Sequence, residues 1–254
     1  MFKNNFNDFD HNFCESLIYS NVPHPEYLNS ISSLFITFIG LNGLCKLNID
    51  KLHKIFLSSL VINGITSYFY HYYNSIGWGL MDRMSMILIA ISSIFTLIFQ
   101  LDKIIELSNL LESFIYLLII SYFTILLTIT SLHMEDIFNM LFGLFLSSSL
   151  IYMYLINKHK KKLYIPDEII KFGWNGIIYI GSSGFFWILT ENLCTNIWFI
   201  KYLFGHIWWH VFVSYGGYLF SLVSNFLYLK NKTTNNIFIR RDFYNIPYLI
   251  EEKT

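Results

Sequence analysis

Residues 204–217 read FGHIWWHVFVSYGG, an aromatic and apolar run that carries two histidines, His206 and His210. A spacing of four puts both imidazoles on one face of a helix. The apolar run continues to residue 229, so a membrane-spanning helix is expected over 205–229. Two polar rings inside such a helix are costly and need partners.

The rest of the chain has the same character. It is 54% hydrophobic and 13% charged, where a soluble domain carries roughly 25% charged residues, and its mean hydropathy is +0.47. The apolar residues fall in blocks of about 20, the length of a membrane span. Seven such blocks are expected, at roughly 26–46, 53–73, 79–100, 110–132, 136–156, 168–190 and 205–229, and Pro23, Pro25, Pro166 and Pro247 all lie outside them. The fold class is therefore all-α: a polytopic membrane protein, a seven-transmembrane helix bundle. The bundle occupies 26–229, between an N-terminal segment (1–25) and a C-terminal tail (230–254). No repeat, second domain or obligate protein partner is evident, and zero net charge gives no reason to expect nucleic acid. The polar, acidic start lacks the basic residues and apolar core of a cleaved signal peptide, so the first span is expected to direct targeting.

The basic residues orient the bundle. Fourteen of the 17 Lys and Arg fall on one side: Lys46, Lys51, Lys54, Lys103, the 158–162 cluster, Lys171 and the tail. Lys3, Arg83 and Lys201 fall on the other. The bias places the N-terminus in the lumen or exterior and the C-terminus in the cytosol, which an odd number of spans satisfies.

With this orientation, ionisable groups from several spans gather in one leaflet and are expected to stop there: His71, Asp82, Glu191, His206 and His210, with Ser67 four residues before His71. Singly, each has an ordinary reading. A histidine near a span end is interfacial, a serine bonds its own helix backbone, and Asp82 pairs with Arg83. Together, three histidines at one depth suit a zinc ion with an open fourth position. Asp82 would stand beside it as a base, and Ser67 could donate to an oxyanion. A soluble zinc protease would have Glu directly after the first histidine of the pair, where Ile207 stands. Axial haem ligation would leave Ser67, Asp82 and the third histidine without a role. A proton relay would cross the whole membrane.

Four blocks resemble the alkaline ceramidase family of seven-span membrane amidases. GITSYFYH followed by LMDRMSM is similar to the family's G-x-x-S-x-x-x-H block and the Asp beyond it. HIWWHVFVSYGG matches H-x-x-W-H followed by Tyr-Gly, and includes Trp209 and Tyr215. FFWILTENLC carries Glu191 where the family has Asp, and NFCESL with EYLNSISS matches the N-terminal block. The resemblance implies zinc held by His71, His206 and His210, with Asp82 as acid–base group and Ser67 as oxyanion donor. Glu191, Trp209 and Tyr215 would support the site. It implies a ceramide substrate entering from the bilayer, a sphingoid base and a fatty acid as products, and an ER or Golgi membrane. It also implies a disulfide between Cys14 and Cys194, and a calcium site at Asn12, Phe13 (by its carbonyl), Glu15, Leu17 and Glu26. Asn12 stands where the family has Asp and Leu17 where it has Asn, so calcium affinity should fall unless Asp8 and Asp10 assist.

Three other readings share these features. One is a related membrane hydrolase acting on a glycolipid anchor or similar acyl lipid. Another is a lipid-sensing seven-span receptor with a non-catalytic zinc. The last is a channel or proton carrier.

Overall fold

A computed structural model of the protein describes residues 6–10, 13–18, 25–47, 51–105, 134–232 and 236–252. Six long helices dominate these residues: α1 (Tyr27–Lys46), α2 (Lys51–Tyr73), α3 (Ile76–Ile105), α4 (Met134–His159), α5 (Asp167–Leu193) and α6 (Gly205–Lys232). Each overlaps a block expected from the sequence. The block at 110–132 lies outside the described residues.

Local chemistry sets the helix ends. Pro166 precedes α5 in extended backbone, and Asp167 and Glu168 occupy its first turn, where carboxylates suit the positive end of the helix dipole. α2 stops because Asn74 turns left-handed, at φ 47°, and its N–H bonds to the Tyr70 carbonyl at 2.7 Å. Asparagine tolerates that conformation. The resulting turn is so short that α3 begins at Ile76, which sets Ser67 of α2 and Asp82 of α3 on one cavity.

The described helices close a ring: α1 packs on α2, α2 on α3, α3 on α4, α4 on α5, α5 on α6, and α6 back on α1. Two crossings are close enough to require glycine. A Cβ on Gly64 would lie 2.3 Å from Thr37 Oγ1, and one on Gly216 would lie 2.7 Å from the Gly176 carbonyl oxygen. Small residues let helix backbones approach in this way. Inside the ring Ile39, Leu57, Tyr152, Ile156, Ile169, Tyr218 and Leu222 are fully buried. Outside it Ile31, Ile62, Ile151, Ile178 and Phe185 are exposed. Among the described residues three helical stretches, Tyr27–Lys46, Ile76–Leu97 and Ile200–Lys232, are long and apolar enough to cross a membrane. Together with the outward apolar side chains they fit an integral membrane protein.

Buried polar groups were expected to stop at one end of the bundle, but the helices carry a second set at the other. His53, Ser93, Thr96, Ser221 and Ser224 border a small pocket there, and Asn225 is fully buried nearby in sequence. Two of the hydroxyls bond to their own helices, Ser93 Oγ donating to the Ile89 carbonyl (2.7 Å) and Ser221 Oγ to that of Gly217 (2.9 Å), while Ser224 Oγ lies 3.5 Å from the Tyr152 hydroxyl.

The tail, expected only as an extension, forms an antiparallel hairpin of β1 (Asn236–Arg241) and β2 (Pro247–Glu252). It is clasped to the bundle. The Tyr218 hydroxyl, on α6, donates to the Pro247 carbonyl at 2.8 Å. Asp242 accepts from the Lys46 ammonium, from Asn42 Nδ2 at 3.1 Å and from the Ile246 N–H at 2.8 Å. Burial works against the Asp242 charge, yet the bonds from Lys46, Ile246 and Asn42 outweigh it and hold the carboxyl below its ordinary range. A carboxyl held low contributes stability that is present above its unfolded value of about 4 and is lost as pH falls through its folded value. Asp242→Asn should therefore melt at a lower temperature than the wild type at neutral pH. The difference should close only in acid, below about pH 4. Thermal unfolding in detergent across pH checks this.

Candidate metal centre

The end of α2 and the start of α1 are joined at the backbone, where the Glu26 N–H donates to the His71 carbonyl at 2.9 Å. The side chains meet as well: His71 Nδ1 lies 2.8 Å from Glu26 Oε2. Glu26 has no exposed surface. Its Oε1 also accepts from the Phe13 N–H (2.7 Å) and the Ser16 hydroxyl (2.5 Å), and its Oε2 accepts from Asn29 Nδ2 (3.1 Å). A carboxylate can only accept, so His71 carries its proton on Nδ1 and offers Nε2 as a lone pair.

His210 is oriented by the same logic. Its Nδ1 lies 2.8 Å from Ser32 Oγ, and that hydroxyl donates to the Asn29 carbonyl at 2.9 Å. Ser32 therefore accepts from Nδ1–H and His210 also presents Nε2. His206 Nδ1 lies 3.4 Å from Glu191 Oε1, and among the described residues neither atom has a hydrogen-bond partner. Glu191 Oε2 is held by the Cys14 N–H at 3.1 Å. Partners of this kind fix the tautomer and direction of metal-ligating histidines.

The three rings converge. Their centroids are 4.7 Å (His71–His206), 5.4 Å (His71–His210) and 4.7 Å (His206–His210) apart, and one nitrogen from each lies within 4.8 Å of the others. All three are buried. Three imidazole nitrogen donors, two of them directed by partners on their far nitrogen, fit a zinc ion. Cys14, Glu191 and Cys194 also cluster, but the two cysteines are bonded to each other.

Asp82 and Ser67 complete the arrangement. Asp82 is 6% exposed, and its Oδ1 accepts from Asn63 Nδ2 at 2.9 Å. Ser67 Oγ lies 3.0 Å from Ser33 Oγ, whose own proton has the Asn29 carbonyl as an acceptor at 2.8 Å. Both border a cavity of about 580 Å³ with His206, His210, Trp209 and Glu191. Tyr70, Arg83 and Asn192 also border it. An apolar pocket among Ile36, Leu60, Ile89, Phe145 and Val213 shares Asn63, Met86, Phe142 and Trp209 with that cavity. Tyr215, expected to support the site, instead packs on Tyr179 and does not border the cavity.

The N-terminal segment covers the site. The structure joins Cys14 to Cys194, with Cα atoms 5.9 Å apart, and the Phe13 ring packs on His71 (4.8 Å) and His206 (4.5 Å). Cys45 is free. Of the calcium positions, Asn12 lies outside the described residues. The Phe13 carbonyl accepts from the Ser16 N–H, and Glu15 accepts from the Leu28 and Asn29 N–H groups at the start of α1, both at 2.7 Å. Leu17 offers no side-chain oxygen, and its carbonyl accepts from Lys201 Nζ at 3.2 Å. Calcium takes six to eight oxygens; here Glu15, Glu26 and the carbonyls of Phe13 and Leu17 each accept from protein donors.

Sequence reasoning missed Ser32, Ser33, Asn29 and Asn63 as partners of the site. The signal available for Asn63 was a polar residue one turn before Ser67 in an apolar span.

A family model described as Ceramidase matches residues 8–250. No curated protein matches the chain.

Glu26→Gln removes the charged acceptor behind His71 and should weaken zinc binding about 10–100-fold, measured by competition with a chelator. Calcium added to the full-length protein should leave its melting temperature unchanged, since Glu15 and Glu26 act here as acceptors for N–H, O–H and imidazole donors.

Proposed function

Since the chain belongs to the ceramidase family, whose membership supports hydrolysis of ceramide, we propose that it is a zinc-dependent membrane amidase. It cleaves ceramide to a sphingoid base and a fatty acid. The observation that carries the zinc reading is the convergence of His71, His206 and His210 beside the buried Asp82. Zinc held there would supply Lewis acidity and a water that ionises near neutral pH.

The chain's own groups do the rest. Asp82 takes a proton from the attacking water and delivers one to the amide nitrogen as the C–N bond breaks and the C–O bond forms. The Ser67 hydroxyl, 3.0 Å from Ser33 Oγ, can turn to donate to the carbonyl oxygen as negative charge builds there. Phe13, pinned by Cys14, shields the histidines from water. The acyl chain lies in the apolar pocket among Ile36, Leu60 and Val213. The bundle has seven spans with the site in the lumenal or exterior leaflet and the tail in the cytosol, a reading supported by the bias of Lys and Arg. An ER or Golgi membrane suits that arrangement.

The test is zinc content together with fatty-acid release from ceramide in detergent. The wild type should hold about one zinc per chain and release fatty acid. His210→Ala should lose both. Asp82→Ala should keep the zinc and lose about 100-fold or more in turnover, the share ordinarily supplied by a general acid–base group. A folded, zinc-loaded wild type that releases nothing from any ceramide would overturn the substrate, and a zinc-free folded protein would overturn the mechanism.

A further inference from the structure

Asn63 lies on α2, one turn before Ser67, and is 5% exposed. It is a polar residue placed where the polar cavity meets the apolar pocket, and it borders both. Its Nδ2 donates to Asp82 Oδ1 and to Ser85 Oγ, each at 2.9 Å. The partners leave one orientation for the amide. The carboxylate of Asp82 accepts only. Ser85 spends its proton on the Asp82 backbone carbonyl at 2.7 Å, so its Oγ accepts from Asn63. Thr66 closes the group: its Oγ1 is 3.2 Å from Ser85 Oγ, and Ile62 and Asn63 offer it carbonyl acceptors at 3.0 and 3.1 Å. Both amide protons of one α2 residue are therefore used on α3, on Asp82 and on the residue three further along.

We infer that Asn63 is a positioning residue for Asp82. A carboxylate turns readily about its last torsion, which is broad and two-fold. A proton acceptor must come within about 2.6–3.2 Å of the proton that it takes. Asn63 holds Oδ1 toward α2 and leaves the other carboxylate oxygen without this donor, in the cavity that Asp82 borders with Ser67, His206 and His210. Ser85 keeps the amide from turning away. The role in turnover rests on the ceramide-hydrolysis reading; the positional claim does not.

The experiment uses the full chain in detergent, as wild type, Asn63→Leu and Ser85→Ala. Asn63→Leu keeps the volume and removes the donor. Its kcat should fall about 10–100-fold, as when a supporting partner of a metal site is lost, with KM and zinc per chain unchanged. Ser85→Ala, the milder change should Asn63→Leu not fold, should lower kcat to a smaller degree, again without moving KM. A crystal structure of the variant should show the Asp82 carboxylate turned, with His71, His206 and His210 in place. An unchanged kcat, a rise in KM alone, or zinc lost in step with kcat would overturn the inference. So would an Asp82 that has not moved. A wild type inert on ceramide would sink the proposed reaction, while the position of Asp82 in the variant would still decide the case for Asn63.

Discussion

A carboxylate with no exposed surface needs donors on both oxygens, and the four side-chain and backbone donors that Glu26 collects draw three parts of the chain together. Phe13 and Ser16 bring the N-terminal segment, Asn29 brings the first turn of α1, and His71 brings the end of α2. An unsatisfied charge at this depth would cost several kcal/mol, so these groups are fixed relative to one another. The direction of His71 follows from that constraint, and with it the point at which the other two rings can meet.

The bundle then separates two jobs. One end is polar and gathers the histidines, Asp82, Ser67 and the covering segment. The middle is apolar and tightly crossed, at Gly64 on Thr37 and at Gly176 on Gly216. The close crossings set α2 against α1 and α6 against α5, so Ser67 and His210 stand on rigid helices rather than on loops. Polar residues reappear at the far end, and the hairpin seals that end through Asp242 and Tyr218.

Much of this was legible in the chain. The spacing of His206 and His210, and of Ser67 and His71, is helical periodicity read on an apolar background. Span length follows from the same pattern, although the block at 110–132 lies outside the described residues. The groups that orient the ligands were not legible. Glu26 meets His71 across 45 residues and Ser32 meets His210 across 178, and no local period links them. The resemblance to the family assigned Glu15 and Glu26 to calcium. In the fold they satisfy N–H, O–H and imidazole groups that would otherwise be stranded. Tyr215 was drawn in by the Tyr-Gly pair of the family's last span, but five residues beyond His210 on a helix turn it well away from the cavity.

The bond between Cys14 and Cys194 sets an order on how the protein is made. The two sulfurs are 180 residues apart, so the segment around Cys14 must wait for α5 to be made before it can be fastened. His71 and Asp82 enter the membrane with no cover, and His206 and His210 arrive after the fastening partner has appeared. Phe13 can settle on the rings only when both ends of the chain are present. The centre is therefore one of the last parts of the molecule to mature, and a chain arrested before α6 would hold one ligand of the three.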